Sequence, residues 1–157
     1  MALIVDIEKK LGDFNLKAKF EADEEIVGLL GASGCGKSMT LKCIAGIEKP
    51  DKGRIILNNR VLFDSDKKIC LPARKRGVGY LFQDYALFPN MTVIKNIIEV
   101  AKDKDEIDSL LDSLYIKDLK NLYPSQLSGG QKQRVAMARL LSILFPERWL
   151  RLLLRSV

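Results

Sequence analysis

The chain has 157 residues, 47% of them hydrophobic and 29% charged, which fits one folded globular domain and excludes a disordered chain. It contains no histidine, so imidazole metal sites and histidine-based catalytic triads are excluded as well. The net charge is +6, but residues 132–157 hold six basic residues and one acid, and the 20 basic and 19 acidic residues before them nearly cancel, so no nucleic-acid partner is expected.

Alternating apolar residues predict a β-hairpin over the first twenty residues. Residues 26–30 are then predicted to form a short buried strand, directly before a glycine-rich stretch. The pattern becomes helical from Lys37 to about Gly46, where glycine is a plausible stop. A second hairpin is predicted from Arg54–Leu57 and Val61–Phe63, which flank a pair of asparagines.

The second half of the chain is predicted to be mainly helical after one more strand at Val78–Phe82. Helices are expected over Thr92–Ala101, with Thr92 as a possible N-cap, and over Asp105–Leu114. The sequence Ser128–Gly130 breaks the pattern, and a helix resumes over Gln131–Leu141.

Residues 31–38 fit the phosphate-loop pattern G-x-x-x-x-G-K-[ST] in full, between a predicted strand and a predicted helix. They are Gly31, Ala32, Ser33, Gly34, Cys35, Gly36, Lys37 and Ser38. Glycines let the backbone wrap phosphate oxygens closely, and the start of the following helix adds a positive dipole end. Lys37 would reach the β- and γ-phosphates, and the Ser38 hydroxyl would ligate Mg²⁺. The pattern predicts nucleotide binding, and Met39 completes the candidate set.

Cys35 has two readings within this loop, which is hereafter called the P-loop. The helix end and Lys37 would favour its thiolate, or it is a small residue tolerated at a variable position. The second reading is preferred.

A further set of motifs distinguishes among P-loop proteins. Leu127–Gln131 reads LSGGQ, Tyr80–Asp84 carries a glutamine directly after a predicted strand, and Ala86–Pro89 follows it. In this order and spacing, the motifs resemble those of the ATP-binding subunit of ABC transporters, in which Leu127–Gln131 is the signature motif. The resemblance covers roughly residues 2–141.

The resemblance implies an α/β fold of the P-loop NTPase (ABC ATPase) type. It implies an N-terminal antiparallel β subdomain, a helical subdomain at about residues 85–130, and a central sheet that is incomplete here. Residues 1–157 are then a single partial ATP-binding domain, with an atypical tail at residues 142–157.

Roles for the remaining candidate residues come from the same resemblance. Two subunits would close around two ATP molecules, with the P-loop of one and the signature motif of the other on each γ-phosphate. Ser128, Gly129 and Gly130 would contact phosphate from a helix start, and Gln131 would orient that loop. Gln83 would act in catalysis by reaching Mg²⁺ and the attacking water. Phe14 would stack on adenine, with an ordinary core residue as the equal alternative.

The expected cofactors are therefore ATP and Mg²⁺, and the expected partners are membrane-spanning permease subunits and a second ATP-binding subunit in a homodimer. Three cysteines are a sparse, odd set that favours a reducing cytoplasm, and no apolar run is long enough to span a membrane. The predicted location is the cytoplasmic face of the cell membrane. The compact first hairpin and residues 70–80 resemble those of molybdate importers, and sulfate, iron and polyamine importers have related subunits.

After Leu141 the sequence departs from the family pattern. The Walker B carboxylates of the family would fall near Arg151 and Leu152, or at Arg155 and Ser156, and neither register supplies an acid. The later aspartate loop and the switch histidine are missing too, so the status of this chain as an enzyme is open and hydrolysis is expected to be poor. Without the Walker B strand, the predicted strand at 26–30 would have an unpaired edge and exposed apolar surface.

Alternatives stay open both for the origin of the tail and for the function. A reading-frame shift shortly after Leu141 is the favoured origin of the tail, ahead of a basic amphipathic segment for a membrane surface. The alternative function is a non-catalytic nucleotide-binding module that pairs with a complete subunit. A nucleic-acid-associated ATPase of the same superfamily is a third reading, although no distributed basic face accompanies the motifs.

Overall fold

A computed structural model of the chain describes residues 2–23 and 28–144, and only the backbone of the last of these. The chain divides into two compact units, one ending at Tyr80 and the other beginning at Leu81. The first two residues of the strand predicted at 26–30, and most of the predicted tail (145–157), lie outside the described residues.

The first unit is built on an antiparallel sheet of five strands in the order β2-β1-β3-β4-β5. The strands are β1 (Ala2–Leu11), β2 (Phe14–Asp23), β3 (Lys52–Leu57), β4 (Arg60–Asp64) and β5 (Ile69–Cys70). Both predicted hairpins are confirmed: Leu11 pairs with Phe14 at the first turn, and Leu57 pairs with Arg60 at the second. The second turn places Asn58 and Asn59 in the left-handed region, which asparagine tolerates better than most residues.

The predicted helix after the P-loop is confirmed as α1 (Lys37–Ala45), and it ends at Gly46 in the left-handed conformation. Its buried side chains meet the inward-facing side chains of the sheet in one apolar core. The core residues are Val5, Ile7, Cys43, Ile44, Ile55, Leu62 and Phe63. This packing fixes α1, and hence the end of the P-loop, on the sheet.

The second unit is helical, with α2 (Val93–Ile98), α3 (Ile107–Ser113) and α4 (Gly129–Leu144) around a separate apolar core. Single turns of 3₁₀-helix at Lys117–Leu119 and Pro124–Gln126 connect α3 to α4. The Thr92 side chain accepts a hydrogen bond from the backbone N–H of Lys95, which confirms Thr92 as the N-cap of α2. None of the helices in the described ranges is long and apolar enough to cross a membrane.

Two predicted strands are wrong in the residues that the structure describes. Val78–Phe82 is irregular, and so is Gly28–Leu30, where the Leu30 side chain is 95% exposed. Both segments have the apolar composition of strands in a parallel sheet, but a strand exists only where another strand pairs with its backbone. Within the described ranges the sheet holds only β1–β5. The exposure of Leu30 agrees with the apolar surface expected there.

The boundary of α4 is a smaller correction. The predicted break at Ser128–Gly130 and helix start at Gln131 are replaced by a helix that already begins at Gly129. Serine and glycine are poor helix-interior residues, but serine is a good residue immediately before a helix. The break in the pattern is therefore the cap of the helix.

Candidate nucleotide-binding site

The P-loop forms an exposed turn between the sheet and α1. Gly31, Gly34 and Gly36 have φ values of 152°, 81° and 94°, which residues with a Cβ atom rarely adopt. Gly36 is also packed tightly, because a Cβ added there would lie 2.5 Å from the Leu16 side chain on β2. The glycines are therefore required by the path of the backbone, and they leave the loop free of side chains that would obstruct a ligand.

The Lys37 ammonium group lies over the P-loop. Its Nζ donates hydrogen bonds to the carbonyl oxygens of Gly31 at 2.7 Å and Ala32 at 2.8 Å, and lies 3.4 Å from the Cys35 Sγ. Lys37 is the first residue of α1, and no acidic residue lies in the first turn of that helix. The lysine charge and the positive end of the helix dipole therefore act together on any anion that enters the loop.

Ser38 supplies an exposed hydroxyl in the same helical turn. In the described part of the chain, no group of three histidine, cysteine, aspartate or glutamate side chains could hold a metal ion. Mg²⁺ commonly takes one or two protein oxygens and completes its shell with phosphate oxygens and water. Ser38 thus fits a Mg²⁺ that arrives with a nucleotide, whereas Met39 packs partly against the core of the first unit.

Phe14 lies beside the P-loop at the start of β2. Its ring atom Cε1 is 3.6 Å from the position of a Cβ built on Gly36, and the side chain is 45% exposed. An ordinary core residue would be buried, so that alternative does not fit. Stacking on adenine stays a prediction.

The signature motif forms the start of α4 through a reciprocal cap. The backbone N–H of Ser128 donates to the Gln131 Oε1 at 2.8 Å, and the N–H of Gln131 donates to the Ser128 Oγ at 3.3 Å. Gly129 and Gly130 lie between them, at the helix positions whose N–H groups have no intrahelical acceptor. A Cβ on either glycine would meet nothing within 4 Å.

Gln83 is exposed in a turn over residues 83–86, hereafter called the Gln83 turn. The structure thus gathers the P-loop, Met39 and Phe14 in the first unit and residues 128–131 at one helix start in the second. Gln83 lies in a separate turn of the second unit. The structure therefore describes each of these three groups of residues within the unit that contains it.

Arg76 is a residue of this region that the sequence did not single out. It is only 2% exposed, and its guanidinium donates to the carbonyl oxygens of Leu71 at 2.8 Å, Cys43 at 2.7 Å and Ile44 at 3.0 Å. Burial lowers the pKa of Arg76, while the neighbouring Cys70 opposes that shift. A cation at the carbonyl end of α1 stabilises the helix that carries the P-loop.

The only sequence signal for Arg76 was a run of three basic residues at 74–76. Such a run is typical of a solvated surface. Nothing in it distinguishes the buried third residue from its two exposed neighbours.

Comparison with known proteins places these motifs in a family context. The model of the ABC transporter family matches residues 14–143. The molybdenum import ATP-binding protein ModC of Aliivibrio fischeri is 44% identical over 143 residues, which cover 87% of this chain and 38% of that protein. The sulfate/thiosulfate import ATP-binding protein CysA of Synechocystis is 42% identical over 155 residues, covering 91% of this chain and 42% of that protein. The chain thus spans about two-fifths of the length of these relatives.

Solved structures agree with the sequence comparisons. The dimeric structure of MJ0796, a bacterial ABC transporter cassette, matches with a TM-score of 0.69 and 26% identity, covering 91% of this chain and 70% of that one. A post-hydrolysis state of the same cassette, bound to ADP and Pi, matches equally well.

Proposed function

The chain belongs to the ABC transporter family, and from this membership we propose that it binds MgATP as part of an ATP-binding subunit. The observation that carries the proposal is the position of the Lys37 ammonium over a glycine-rich loop at the start of α1. Phosphates would take the place of the Gly31 and Ala32 carbonyls on Lys37 and would accept from the loop N–H groups. Ser38 and Gln83 would supply protein oxygens to Mg²⁺, and Phe14 would stack on the base.

A second copy of the subunit is the proposed partner at the signature motif. Glycine at positions 129 and 130 is not demanded by positive φ or by crowding within the unit. Glycine at the start of a helix costs conformational entropy, so a ligand that must approach the backbone closely is the physical reason for it. The γ-phosphate of ATP on a second P-loop has the required charge. The dimeric state of the MJ0796 cassette supports this arrangement.

The proposed biological role is to couple MgATP binding and hydrolysis, in the complete subunit, to solute import through a membrane permease. This role would place the subunit at the cytoplasmic face of the membrane. Molybdate is the proposed solute because several relatives at 40–44% identity are named molybdenum import proteins. Sulfate or thiosulfate is the second candidate, because CysA is 42% identical. Comparing the uptake of labelled molybdate with that of labelled sulfate, by the complete subunit with its permease, would distinguish these two candidate solutes.

We further propose that the 157-residue chain by itself binds ATP without hydrolysing it efficiently. Only one acidic residue, Glu147, follows Leu141, so no aspartate–glutamate pair follows the signature helix to hold Mg²⁺ and polarise water. The alternative role, a non-catalytic module paired with a complete subunit, rests on the same observation. A mixed dimer that traps ATP at one site would favour that alternative.

The binding proposal is tested by replacing Lys37 with methionine, which keeps length and removes charge. Because charge-assisted hydrogen bonds contribute about 1.5–3 kcal/mol, MgATP affinity should fall about 10- to 100-fold by titration calorimetry. The matched control is Lys42→Met in the last turn of the same helix, which should leave the affinity within about twofold. Equal affinities for the wild-type chain and Lys37→Met would contradict the proposal.

A further inference from the structure

The Gln83 turn contains two consecutive residues in the left-handed region. Tyr85 and Ala86 have φ values of 63° and 45°, and neither is a glycine or an asparagine. Side chains with a Cβ are strained in that region, and such strain persists only where the surroundings hold it. Within the turn, the backbone N–H of Tyr85 donates to the Phe82 carbonyl at 3.0 Å. A single hydrogen bond of this kind is modest support for two strained residues.

Additional support comes from Arg139, in the middle of α4. Its guanidinium donates a 2.6 Å hydrogen bond to the Ala86 carbonyl oxygen and lies 4.3 Å from the centre of the Phe88 ring. The hydrogen bond restrains Ala86, one of the two strained residues, directly. The contact with the Phe88 ring is a cation–π contact that orients the planar guanidinium. Together they fix the backbone at the end of the Gln83 turn.

Phe88, the residue whose ring contacts Arg139, is itself held in place by hydrogen bonds. Asn96 on α2 is fully buried, accepts from the Phe88 N–H at 2.8 Å and donates to the Phe88 carbonyl at 3.1 Å. The same amide also donates to the Met91 and Thr92 carbonyls. Both the N–H and the carbonyl group of Phe88 are therefore hydrogen-bonded to Asn96. Arg139 thus contacts a fixed ring while it bonds the Gln83 turn.

We propose that Arg139 is a positioning residue: it holds the left-handed Gln83 turn and joins that turn to the helix whose start is the signature motif. Ser128 and Arg139 are eleven residues apart, about 16 Å along one rigid helix. A displacement of Gln83 would then be transmitted to Ser128 through α4. The meaning of this link for ATP chemistry rests on the proposed function, but the mechanical link itself does not.

The test is amide hydrogen exchange, resolved by residue, on the 157-residue chain without nucleotide. Arg139→Met should speed exchange of the Tyr85 N–H about tenfold, because the strained turn opens when its clamp is lost. The helical N–H groups of Asn96 and Leu114 should change by less than about twofold. Arg134→Met removes the same charge from an exposed position of α4 and should leave all of them unchanged.

A second variant separates positioning from general folding support. Ala86→Gly in the Arg139→Met background should restore most of the slow Tyr85 exchange, since glycine adopts the left-handed region at little cost. Unchanged Tyr85 exchange in Arg139→Met would overturn the proposal. So would an equal rise at Tyr85, Asn96 and Leu114, or a failure of Ala86→Gly to restore protection.

The link to α4 is tested by adding MgATP. At a dilution that keeps the wild-type chain monomeric, so that no second copy contacts the signature motif, MgATP should change exchange at Tyr85 and at the Ser128 N–H together. Under the same conditions Arg139→Met should abolish the Ser128 response while the Tyr85 response persists. A Ser128 response that survives in Arg139→Met would overturn the link. If MgATP does not bind the wild-type chain at all, the proposed function fails. The exchange measurements without nucleotide still show whether Arg139 holds the Gln83 turn.

Discussion

At the scale of single residues, buried polar groups hold the region around the P-loop helix in place. Arg76 joins the carbonyl end of α1 to the segment after β5, because its guanidinium bonds oxygens from Leu71, Cys43 and Ile44. A Cβ on Gly46 would lie 2.4 Å from the Arg76 Nε, so the helix must end in glycine for the guanidinium to reach it. One arginine thus fixes both the helix end and the residue that follows it.

Replacing Arg76 with methionine should lower the free energy of unfolding by about 3 kcal/mol, because buried carbonyl oxygens lose their donors. Arg76→Lys should recover only part of this loss, since an ammonium cannot match the planar fork of donors. Urea denaturation measures both variants. The control is Arg74→Met at an exposed site, expected within about 0.5 kcal/mol of wild type. A similarly small change in Arg76→Met would show that the buried bonds contribute little.

Cys43 makes stability depend on alkaline pH. Burial is the main cause that raises the pKa of its thiol to about 11 in the folded chain, against 9.0 for an unperturbed thiol. The unfolded chain therefore loses this proton first, and the thiol's contribution is fully present below pH 9 and is lost as the pH rises towards 11. At pH 10 the loss should be about 1 kcal/mol relative to pH 8.

The measurement is urea denaturation of wild type and Cys43→Ala from pH 8 to pH 10. Cys43→Ala removes only this thiol, so the difference between the slopes of the two proteins reports Cys43. The wild-type curve should fall more steeply. Parallel curves would mean that the thiol titrates alike in the folded and unfolded chains.

At the scale of elements, the start of α4 shows a conflict between helix stability and ligand access. The cap formed by Ser128 and Gln131 stabilises the helix, whereas the two glycines between them weaken it. Glycine instead of alanine in a helix costs about 0.5–1 kcal/mol. The stability of the element therefore does not explain the glycines, whereas the proposed phosphate contact to their backbone would.

Gly130→Ala should accordingly raise the free energy of unfolding by about 0.5–1 kcal/mol while weakening MgATP-dependent self-association about tenfold. The first effect is measured by denaturation and the second by analytical ultracentrifugation with and without MgATP. Ser109→Ala, at an exposed position of α3, should give a smaller gain in stability and leave association unchanged. If Gly130→Ala destabilises the chain, or leaves association unaffected, close approach of phosphate to this backbone is not the reason for the glycine.

Elements with local signals were predictable from the sequence, and elements that need a distant partner were not. The two hairpins, α1 and the Thr92 cap are encoded by contiguous residues through turns, periodicity and capping. The segments 28–30 and 78–82 have strand-like composition, but their state depends on backbone pairing that no local pattern contains. The Arg139 clamp joins residues 53 positions apart, which likewise has no local signal.

At the scale of the whole molecule, the proposed weak hydrolysis rests on the residues after Leu141, which include a single acid, Glu147. General acid–base groups and metal-positioning carboxylates contribute orders of magnitude to phosphoryl transfer, whereas the P-loop supplies phosphate contacts that do not depend on them. The 157-residue chain should therefore bind MgATP and release phosphate about 10²- to 10⁴-fold more slowly than a complete cassette. Thin-layer analysis of radiolabelled ATP after long incubation measures the release.

The control for this measurement is Lys37→Met, which should bind MgATP about 10- to 100-fold more weakly and show the background from any contaminating ATPase. Phosphate release at the rate of a complete cassette, abolished in Lys37→Met, would contradict the prediction. That outcome would require another residue of this chain to position the attacking water.

The sequence by itself determined the P-loop, the signature motif and hence the family, because these motifs are contiguous and their chemistry resides in backbone N–H groups and a few adjacent side chains. Tertiary structure alone decided which charged residues are buried and which loops are held. Arg76 lies at the carbonyl end of the P-loop helix, and Arg139 holds the Gln83 turn, because packing brings distant carbonyl oxygens to each guanidinium. Burial and long-range hydrogen bonds depend on where the chain returns in space, and a local pattern of residue types cannot specify that.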